Sequence, residues 1–229
     1  MFAKKWELIG TEQVIAVSGL GECMLADTLE CGQAFRYELL RREDGYVEYL
    51  IPVGDTLLRV GQRCPGELLF FDIDEQTLDR VAVPFFSMNT DFEAIRADVT
   101  ARTDSEWLRR AAVEARGVVI LSQDPWEALF SFIISQNNNI PRIRRIIRMI
   151  CAEYGENLAK KQGADRCPCG RIEGAPCDSA CRECGICYSF PTAASVLERP
   201  EGLLPSHPGF RYKYLLDAAR RVADRKSVV

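Results

Sequence analysis

The chain has 229 residues, 47% of them hydrophobic and 27% charged, so it can bury the core of one large domain or of two modest ones. Its formal net charge of −4 at pH 7 excludes a globally basic protein, so any nucleic-acid binding must use a local basic face. It contains no run of about 18 apolar residues, and its start, MFAKKWELIG, lacks the apolar stretch of a signal peptide, so we expect a cytoplasmic protein without membrane attachment.

Residues 1–88 consist of short segments rich in β-branched and aromatic residues, such as FRYELLRR, YVEYLIPVG and ELLFFDI. Gly, Asp and Pro separate these segments, as in EDG and CPG, which is typical of tight turns between strands. They carry no long helical period. This part of the sequence therefore predicts an antiparallel β-sheet.

From about residue 90 the hydrophobic period becomes helical, first in DFEAIRADV and DSEWLRRAAVEA and then in SQDPWEALFSFIISQ. In the last segment Asp124 suits the N-cap, Pro125 suits the first helical position, and Glu127 suits a hydrogen bond back to the cap. The residues that follow are apolar on nearly every side of the helix. We therefore expect a helix that is buried all round.

The next stretch, NNNIPRIRRIIR, combines three amides, a proline and four arginines. Asn139 suits the N-cap of a second helix. Helical spacing predicts one buried stripe, formed by Ile143, Ile146, Ile147 and Ile150. The other faces carry Arg142, Arg144, Arg145 and Arg148. Of these, Arg144 and Arg148 are expected to be solvated or near phosphates. Amides and arginines also contact base edges and phosphates, but from this stretch alone an ordinary polar corner is favoured.

A segment rich in Gly, Pro and Cys at about residues 163–187 interrupts the helical pattern and is interpreted as an insertion or large loop. Without a secretion signal, disulfides are not the first interpretation of its cysteines. Their tight spacing could hold zinc or an iron–sulfur cluster, and a reactive loop without metal is the alternative. The six cysteines are Cys167, Cys169, Cys177, Cys181, Cys184 and Cys187.

Three blocks of the sequence, ECGQAFRY, DPWEALFSFIISQNNNIPRI and FPTAASVL with GFRYKYLLDAAR, together resemble the 8-oxoguanine DNA glycosylase family in order and spacing. This family belongs to the helix-hairpin-helix DNA glycosylase/AP lyase superfamily. The resemblance implies an α+β fold, with a TATA-binding-protein-like antiparallel β-sheet domain over residues 1–88. A partial helical glycosylase domain would follow over residues 89–229, with the Cys-rich insertion inside it.

The resemblance also implies the binding partner. The expected partner is double-stranded DNA that contains 8-oxoguanine opposite cytosine, bound by a monomer without a resident cofactor. Such a protein would work at the nucleoid in a bacterium and in the nucleus in a eukaryote. Its role would be base-excision repair of oxidised guanine.

Residue by residue, the resemblance assigns five positions of this sequence. Asn137 and Arg142 match the pair that holds the orphaned cytosine after the damaged base is flipped out. Phe210 matches the wedge inserted into the base stack, and Arg211 matches a second arginine that reads the cytosine. Gly32 matches a glycine whose carbonyl accepts from the N7–H of 8-oxoguanine. The plainer alternatives are a turn glycine, a core aromatic residue and a surface charge.

The catalytic groups of the family have no counterpart in this sequence. The family uses a lysine in a hairpin of the form L-P-G-V-G-x-K and an aspartate further on, both after the wedge segment. The lysines here stand at 4, 5, 160, 161, 213 and 226, none of them in such a hairpin. No catalytic residue is therefore assigned. We expect the front part of a DNA glycosylase/AP lyase, truncated before its catalytic hairpin and inactive as given. The alternatives are a non-catalytic damaged-DNA-binding protein and a metal-binding module.

Overall fold

The structure is a computed structural model that describes residues 2–164, 168 and 184–225. The chain divides into two compact units, which we describe separately. The first unit comprises Met1–Ala34, Leu39–Tyr49 and Leu58–Ser122. The second unit comprises Phe35–Glu38, Leu50–Leu57 and Gln123–Val229. The division by contacts thus falls after Ser122, and the domain boundary after residue 88 stays a prediction.

A six-stranded sheet, most of which lies in the first unit, gives that unit its framework. Its strands are β1 (Ala3–Ile9), β2 (Glu12–Ser18), β3 (Glu38–Glu43), β4 (Tyr46–Val53), β5 (Thr56–Gln62) and β6 (Glu67–Phe71). Their order in the sheet is β1-β2-β6-β5-β4-β3. Antiparallel pairing places Trp6 opposite Ile15 and Val14 opposite Phe71. The predicted antiparallel sheet and the α+β class are confirmed.

Strand β2 explains why this sheet is well packed. Its four central residues, Val14, Ile15, Ala16 and Val17, are all buried, so both faces of the strand are covered. On one face Val14 and Ala16 form a core cluster with Leu69 and Phe71. Burial on both faces requires a continuous apolar run rather than the alternating pattern of a half-exposed strand.

The first unit also contains helices that the sequence pattern did not predict. They are α1 (Leu25–Glu30) and a continuous helical run made of α2 (Glu75–Thr77), a π-helical turn (Leu78–Ala82) and α3 (Val83–Phe85). Each of these pieces is two turns long or shorter, which is too short for a hydrophobic period to be recognised in the sequence. Two longer helices, α4 (Phe92–Arg102) and α5 (Glu106–Glu114), lie where they were predicted.

The second unit is helical. It contains α6 (Pro125–Ser135), α7 (Ile140–Tyr154), α8 (Leu158–Lys161), α9 (Ala193–Glu198), 3-10 turns at Pro200–Ser206 and Gly209–Arg211, and α10 (Tyr212–Arg225). The predicted caps are confirmed, since Asp124 accepts from the backbone N–H of Glu127 (2.9 Å) and Asn139 from that of Arg142 (3.0 Å). The predicted stripe of α7 is confirmed as well, because Ile143, Ile146, Ile147 and Ile150 are all buried.

Helix α6 is not buried all round, and that expectation is wrong. Phe130 and Ile134, one helical turn apart, are fully buried, whereas Leu129 is 45% and Phe132 52% exposed. The helix packs against α7 and α10, so only the face turned to these helices is covered. Composition alone does not reveal this, because apolar residues occupy both the covered face and the open one.

Of the Cys-rich range, residues 163, 164, 168 and 184–187 belong to the described part of the chain. Cys184, Ile186 and Cys187 are buried in the second unit. Gly185 has φ +63°, and a Cβ there would lie 2.6 Å from the carbonyl oxygen of Arg148. The end of the range is therefore part of the packed core.

The question of a metal at the cysteines concerns mostly undescribed residues. Four of the six, Cys167, Cys169, Cys177 and Cys181, lie outside the described residues. Within residues 2–164, 168 and 184–225, no group of three or more His, Cys, Asp or Glu side chains is arranged to hold a metal ion.

Across the same residues, no helix is long and apolar enough to cross a membrane.

Candidate nucleic-acid interface

The corner between α6 and α7 is a tight turn in which the three asparagines have different roles. Gln136 has φ −56° and ψ 123°, and Asn137 follows with φ +50°. These values match the two central positions of a type II turn, where asparagine is the residue other than glycine that best tolerates a positive φ. Asn138 donates to the carbonyl of Ile134 (3.2 Å), and Asn139 caps α7. The helix-capping role proposed for Asn139 is thus confirmed, and Asn137 is the residue of the turn that has a positive φ.

Arg211 reaches this corner from the 3-10 turn Gly209–Arg211. Its Nε donates to the carbonyl of Gln136 (3.0 Å), and its Nη2 donates to the carbonyls of both Gln136 and Asn137, the latter at 2.9 Å. A longer bond of 3.4 Å joins Nη1 to the carbonyl of Pro208. The residue is only 4% exposed. The surface-charge alternative for Arg211 therefore does not fit.

Phe210, in contrast, points outward. It is 56% exposed, so the alternative of a core aromatic residue does not fit either. The guanidinium carbon of Arg211 lies 4.5 Å from the centroid of its ring, and Tyr214 meets the ring edge-on with centroids 6.5 Å apart. Positive φ angles at His207 (+53°) and Gly209 (+63°) shape the loop that presents it. An exposed aromatic ring on a tightly bonded turn is suited to inserting between stacked bases.

The arginines of α7 divide into an exposed pair and an enclosed pair. Arg142 and Arg145 are exposed. Arg148 forms an ion pair with Glu38, and both side chains are 12% exposed. Arg144 donates to the carbonyl of Tyr37, and its guanidinium lies 4.1 Å from the centroid of the Tyr37 ring. The expectation that Arg144 and Arg148 are solvated or near phosphates is therefore wrong, because the segment Phe35–Glu38 covers them.

A buried ion pair anchors the first turn of α6. Arg36 donates to the Glu127 carboxylate (2.8 Å) and to the carbonyl of Tyr188, and the two side chains are 3% and 15% exposed. Glu127 was expected to return a hydrogen bond to the cap at Asp124, and this ion pair takes its place. Burial raises the pKa of the Glu127 carboxyl above its usual range, and the charge of Arg36 opposes that rise.

Two buried thiols of the described residues, Cys151 and Cys23, are poor nucleophiles. Burial raises the pKa of Cys151, near Arg36 and Glu127, to about 11, and it does the same for Cys23 in the first unit. The nucleophile is the thiolate, so both groups are inert near neutral pH.

Gly32 lies in the first unit, directly after the end of α1. Its φ is +91°, and a Cβ at this position would have no atom within 4 Å. The neighbouring Gln33 fixes the segment, since its side chain donates to the carbonyl of Val119 (2.9 Å) and accepts from the N–H of Leu121 (3.0 Å). Of the five predicted positions, the structure joins Asn137, Phe210 and Arg211 in one corner, with Arg142 in the first turn of the adjoining helix.

The ion-pairing roles of three residues in this unit, Arg36, Glu127 and Glu38, were not found by sequence reasoning. Glu127 and Arg36 stand 91 residues apart in the chain, and no local pattern connects them. The only signal for Arg36 was its place in the block ECGQAFRY, beside apolar residues. For Glu38, which binds Arg148, the sequence offered no signal at all.

Known proteins similar to this chain are DNA glycosylases. The family model described as "8-oxoguanine DNA glycosylase, N-terminal domain" matches residues 17–129. An N-glycosylase/DNA lyase of Saccharomyces cerevisiae is 28% identical over 222 residues, which cover 90% of this chain and 51% of the yeast protein. The chain thus spans about half the length of this curated relative.

Solved structures give the same result for the fold. The 8-oxoguanine glycosylase/lyase of Clostridium acetobutylicum, in complex with double-stranded DNA containing cytosine opposite 8-oxoguanine, has a TM-score of 0.73 and 26% identity. The match covers 99% of this chain and 66% of that one. MBOgg1 in complex with a low-affinity DNA ligand also has a TM-score of 0.73 and 26% identity, covering 98% of this chain and 67% of that one.

Proposed function

We propose that this chain, which belongs to the 8-oxoguanine DNA glycosylase family, contributes the base-recognising part of an enzyme that removes 8-oxoguanine from duplex DNA. The reaction would flip the damaged guanine out of the helix, cleave its glycosidic bond and nick the strand. The substrate would be duplex DNA with 8-oxoguanine opposite cytosine, bound by a monomer. In this proposal the chain supplies recognition, and none of its residues is assigned as the amine nucleophile or the assisting carboxylate.

The observation that carries this proposal is the corner itself. Flipping a base leaves a gap in the stack and an unpaired cytosine, and both must be compensated for the flipped state to be populated. Asn137 lies at a sharp turn between two helices, Arg142 is exposed in the first turn of the next helix, and Phe210 is exposed on a neighbouring turn. We propose that Phe210 enters the gap and that Asn137 and Arg142 bind the edge of the cytosine.

Gly32 would recognise the lesion itself. Guanine has an acceptor at N7, whereas 8-oxoguanine has an N–H there, so a single carbonyl oxygen distinguishes them by gaining or losing a hydrogen bond. The positive φ of Gly32 and the open space beside it allow a base to approach the backbone closely. The carbonyl of Gly32 is therefore the acceptor that we propose.

The test of the corner uses duplexes in which a stable abasic analogue replaces the flipped nucleotide, opposite each of the four bases. Such duplexes need neither the lesion pocket nor the chemistry. A base-edge arginine contributes about 1–3 kcal/mol of discrimination, so the intact chain should bind the duplex with cytosine about 5- to 150-fold more tightly than the others. Arg142→Ala should remove most of that preference. Equilibrium dissociation constants measured by fluorescence anisotropy give the comparison.

Arg145→Ala is the matched control for this measurement, because Arg145 is an exposed arginine on the same helix. A contact to phosphate carries no sequence information, so this variant should weaken all four duplexes alike and reduce the salt dependence of binding. If Arg142→Ala also weakens all four duplexes equally, the corner does not read the opposite base.

The chain by itself is expected to form no Schiff base with abasic DNA. Such a step needs an amine held against C1′ of the sugar. Three of the described lysines lie beside carboxylates: Lys4 pairs with Asp79, Lys5 lies 3.7 Å from Glu7, and Lys161 lies beside Asp55 (4.0 Å) and Glu156 (3.7 Å). Borohydride treatment of the chain with an abasic duplex should yield no covalent product on a denaturing gel. The yeast N-glycosylase/DNA lyase serves as the positive control, and a strong trapped band from this chain would reveal an unrecognised nucleophile.

A further inference from the structure

We infer that Arg211 is a positioning residue, whose guanidinium holds the turn at Asn137 in its left-handed conformation and ties it to the wedge residue Phe210. The inference rests on the proposed function, since it concerns how the same corner is presented to DNA. It differs from the expectation that Arg211 reads the cytosine directly. In this structure the guanidinium donates into the protein corner.

The hydrogen bonds of Arg211 are the first argument. Nε and Nη2 both donate to the carbonyl of Gln136, and Nη2 also donates to that of Asn137 (2.9 Å). These carbonyls belong to the two central residues of the turn. A planar guanidinium offers several donors in a fixed arrangement, so a single side chain can hold both peptide groups at once. With 4% exposure, Arg211 is committed to these contacts.

The conformation that it holds is the second argument. A residue other than glycine with a positive φ persists only where its surroundings enforce that conformation. Asn137 has φ +50°, and it lies directly after Gln136, the C-cap of α6. The last carbonyls of a helix lack partners within the helix and carry partial negative charge. A buried cation at this end satisfies them and opposes unwinding of the turn.

The contact with Phe210 extends the role of Arg211 to the wedge. The guanidinium carbon lies 4.5 Å from the centroid of the Phe210 ring, and the two residues are neighbours in one 3-10 turn. The turn that bears Asn137 and the loop that bears Phe210 are therefore held by one side chain. Both groups proposed to fill the gap in the DNA are positioned together.

The experiment first measures the free protein. The 13Cα and 13Cβ chemical shifts of Asn137 report its backbone conformation without any DNA. In Arg211→Ala and in Arg211→Lys, which keeps the charge but not the planar fork, these shifts should lose their left-handed signature. Arg220→Ala, which removes an exposed arginine from α10, should leave them unchanged. Retention of the left-handed shifts in either folded Arg211 variant overturns the inference.

Binding to the abasic-analogue duplexes then tests the consequence. Both Arg211 variants should lower the preference for cytosine at least about fivefold, whereas Arg220→Ala should retain it. If the unaltered chain shows no preference for cytosine, the proposed function fails, and the chemical shifts still decide the role of Arg211. If the preference survives in the Arg211 variants despite altered shifts, Arg211 does not position the reading groups.

Discussion

Replacing Glu127 by alanine is expected to lower the free energy of unfolding by about 3–5 kcal/mol, the cost of leaving one member of a buried ion pair without its partner. Arg36 has a side chain that is only 3% exposed, so water cannot replace the lost carboxylate. The carbonyl of Tyr188 would remain as an acceptor, but a carbonyl does not neutralise the charge. Urea denaturation followed by far-UV circular dichroism measures the change.

Two further variants make this measurement specific. Glu153 pairs with Arg199 at 3.2 Å in the same unit, but the two side chains are 43% and 53% exposed. Glu153→Ala should therefore cost no more than about 1 kcal/mol. The double variant Arg36→Met/Glu127→Leu removes both charges and keeps an apolar volume, and it should recover most of the stability. Equal losses for Glu127→Ala and Glu153→Ala would contradict the role assigned to the buried pair.

Arg148→Ala is expected to affect stability rather than DNA binding. Arg148 binds the Glu38 carboxylate and the carbonyl of Tyr37 (3.1 Å) from a position that is 12% exposed. The free energy of unfolding should fall by about 2–4 kcal/mol, somewhat less than for Glu127→Ala. The reason is that the Nε of Arg148 is buried without a hydrogen-bond partner among the described residues, so this ion pair is less completely satisfied. Thermal or urea unfolding gives this value.

The same variant separates structural arginines from DNA-binding ones. At a temperature where Arg148→Ala is folded, its affinity for duplex DNA and its salt dependence should equal those of the unaltered chain. Arg145→Ala should behave in the opposite way. Its stability should be unchanged, and the slope of log K for DNA binding against log salt concentration should be smaller by about one. A reduced salt slope in Arg148→Ala would show that the ion pair with Glu38 opens when DNA binds.

Local chemistry of the sequence was sufficient to predict the elements that carry the candidate site. The cap at Asp124, the proline after it and the cap at Asn139 are interactions between residues a few positions apart, so the sequence contains all of their parts. The buried stripe of α7 follows from helical geometry in the same way. The blocks that resemble the glycosylase family could also be read directly, because each is continuous in the chain.

The tertiary structure alone decided how the charged and aromatic side chains are used. Four arginines of α7 look alike in the sequence, but Tyr37 and Glu38, more than 100 residues earlier, enclose Arg144 and Arg148 and leave Arg142 and Arg145 exposed. The same holds for Arg211, 74 residues after the carbonyl of Asn137 that it binds. Contacts between residues so distant in sequence depend on how the helices pack, and helical periodicity records which face is apolar but not what covers it. Sequence thus determined where the corner and its caps lie, and packing determined which of its cations are exposed.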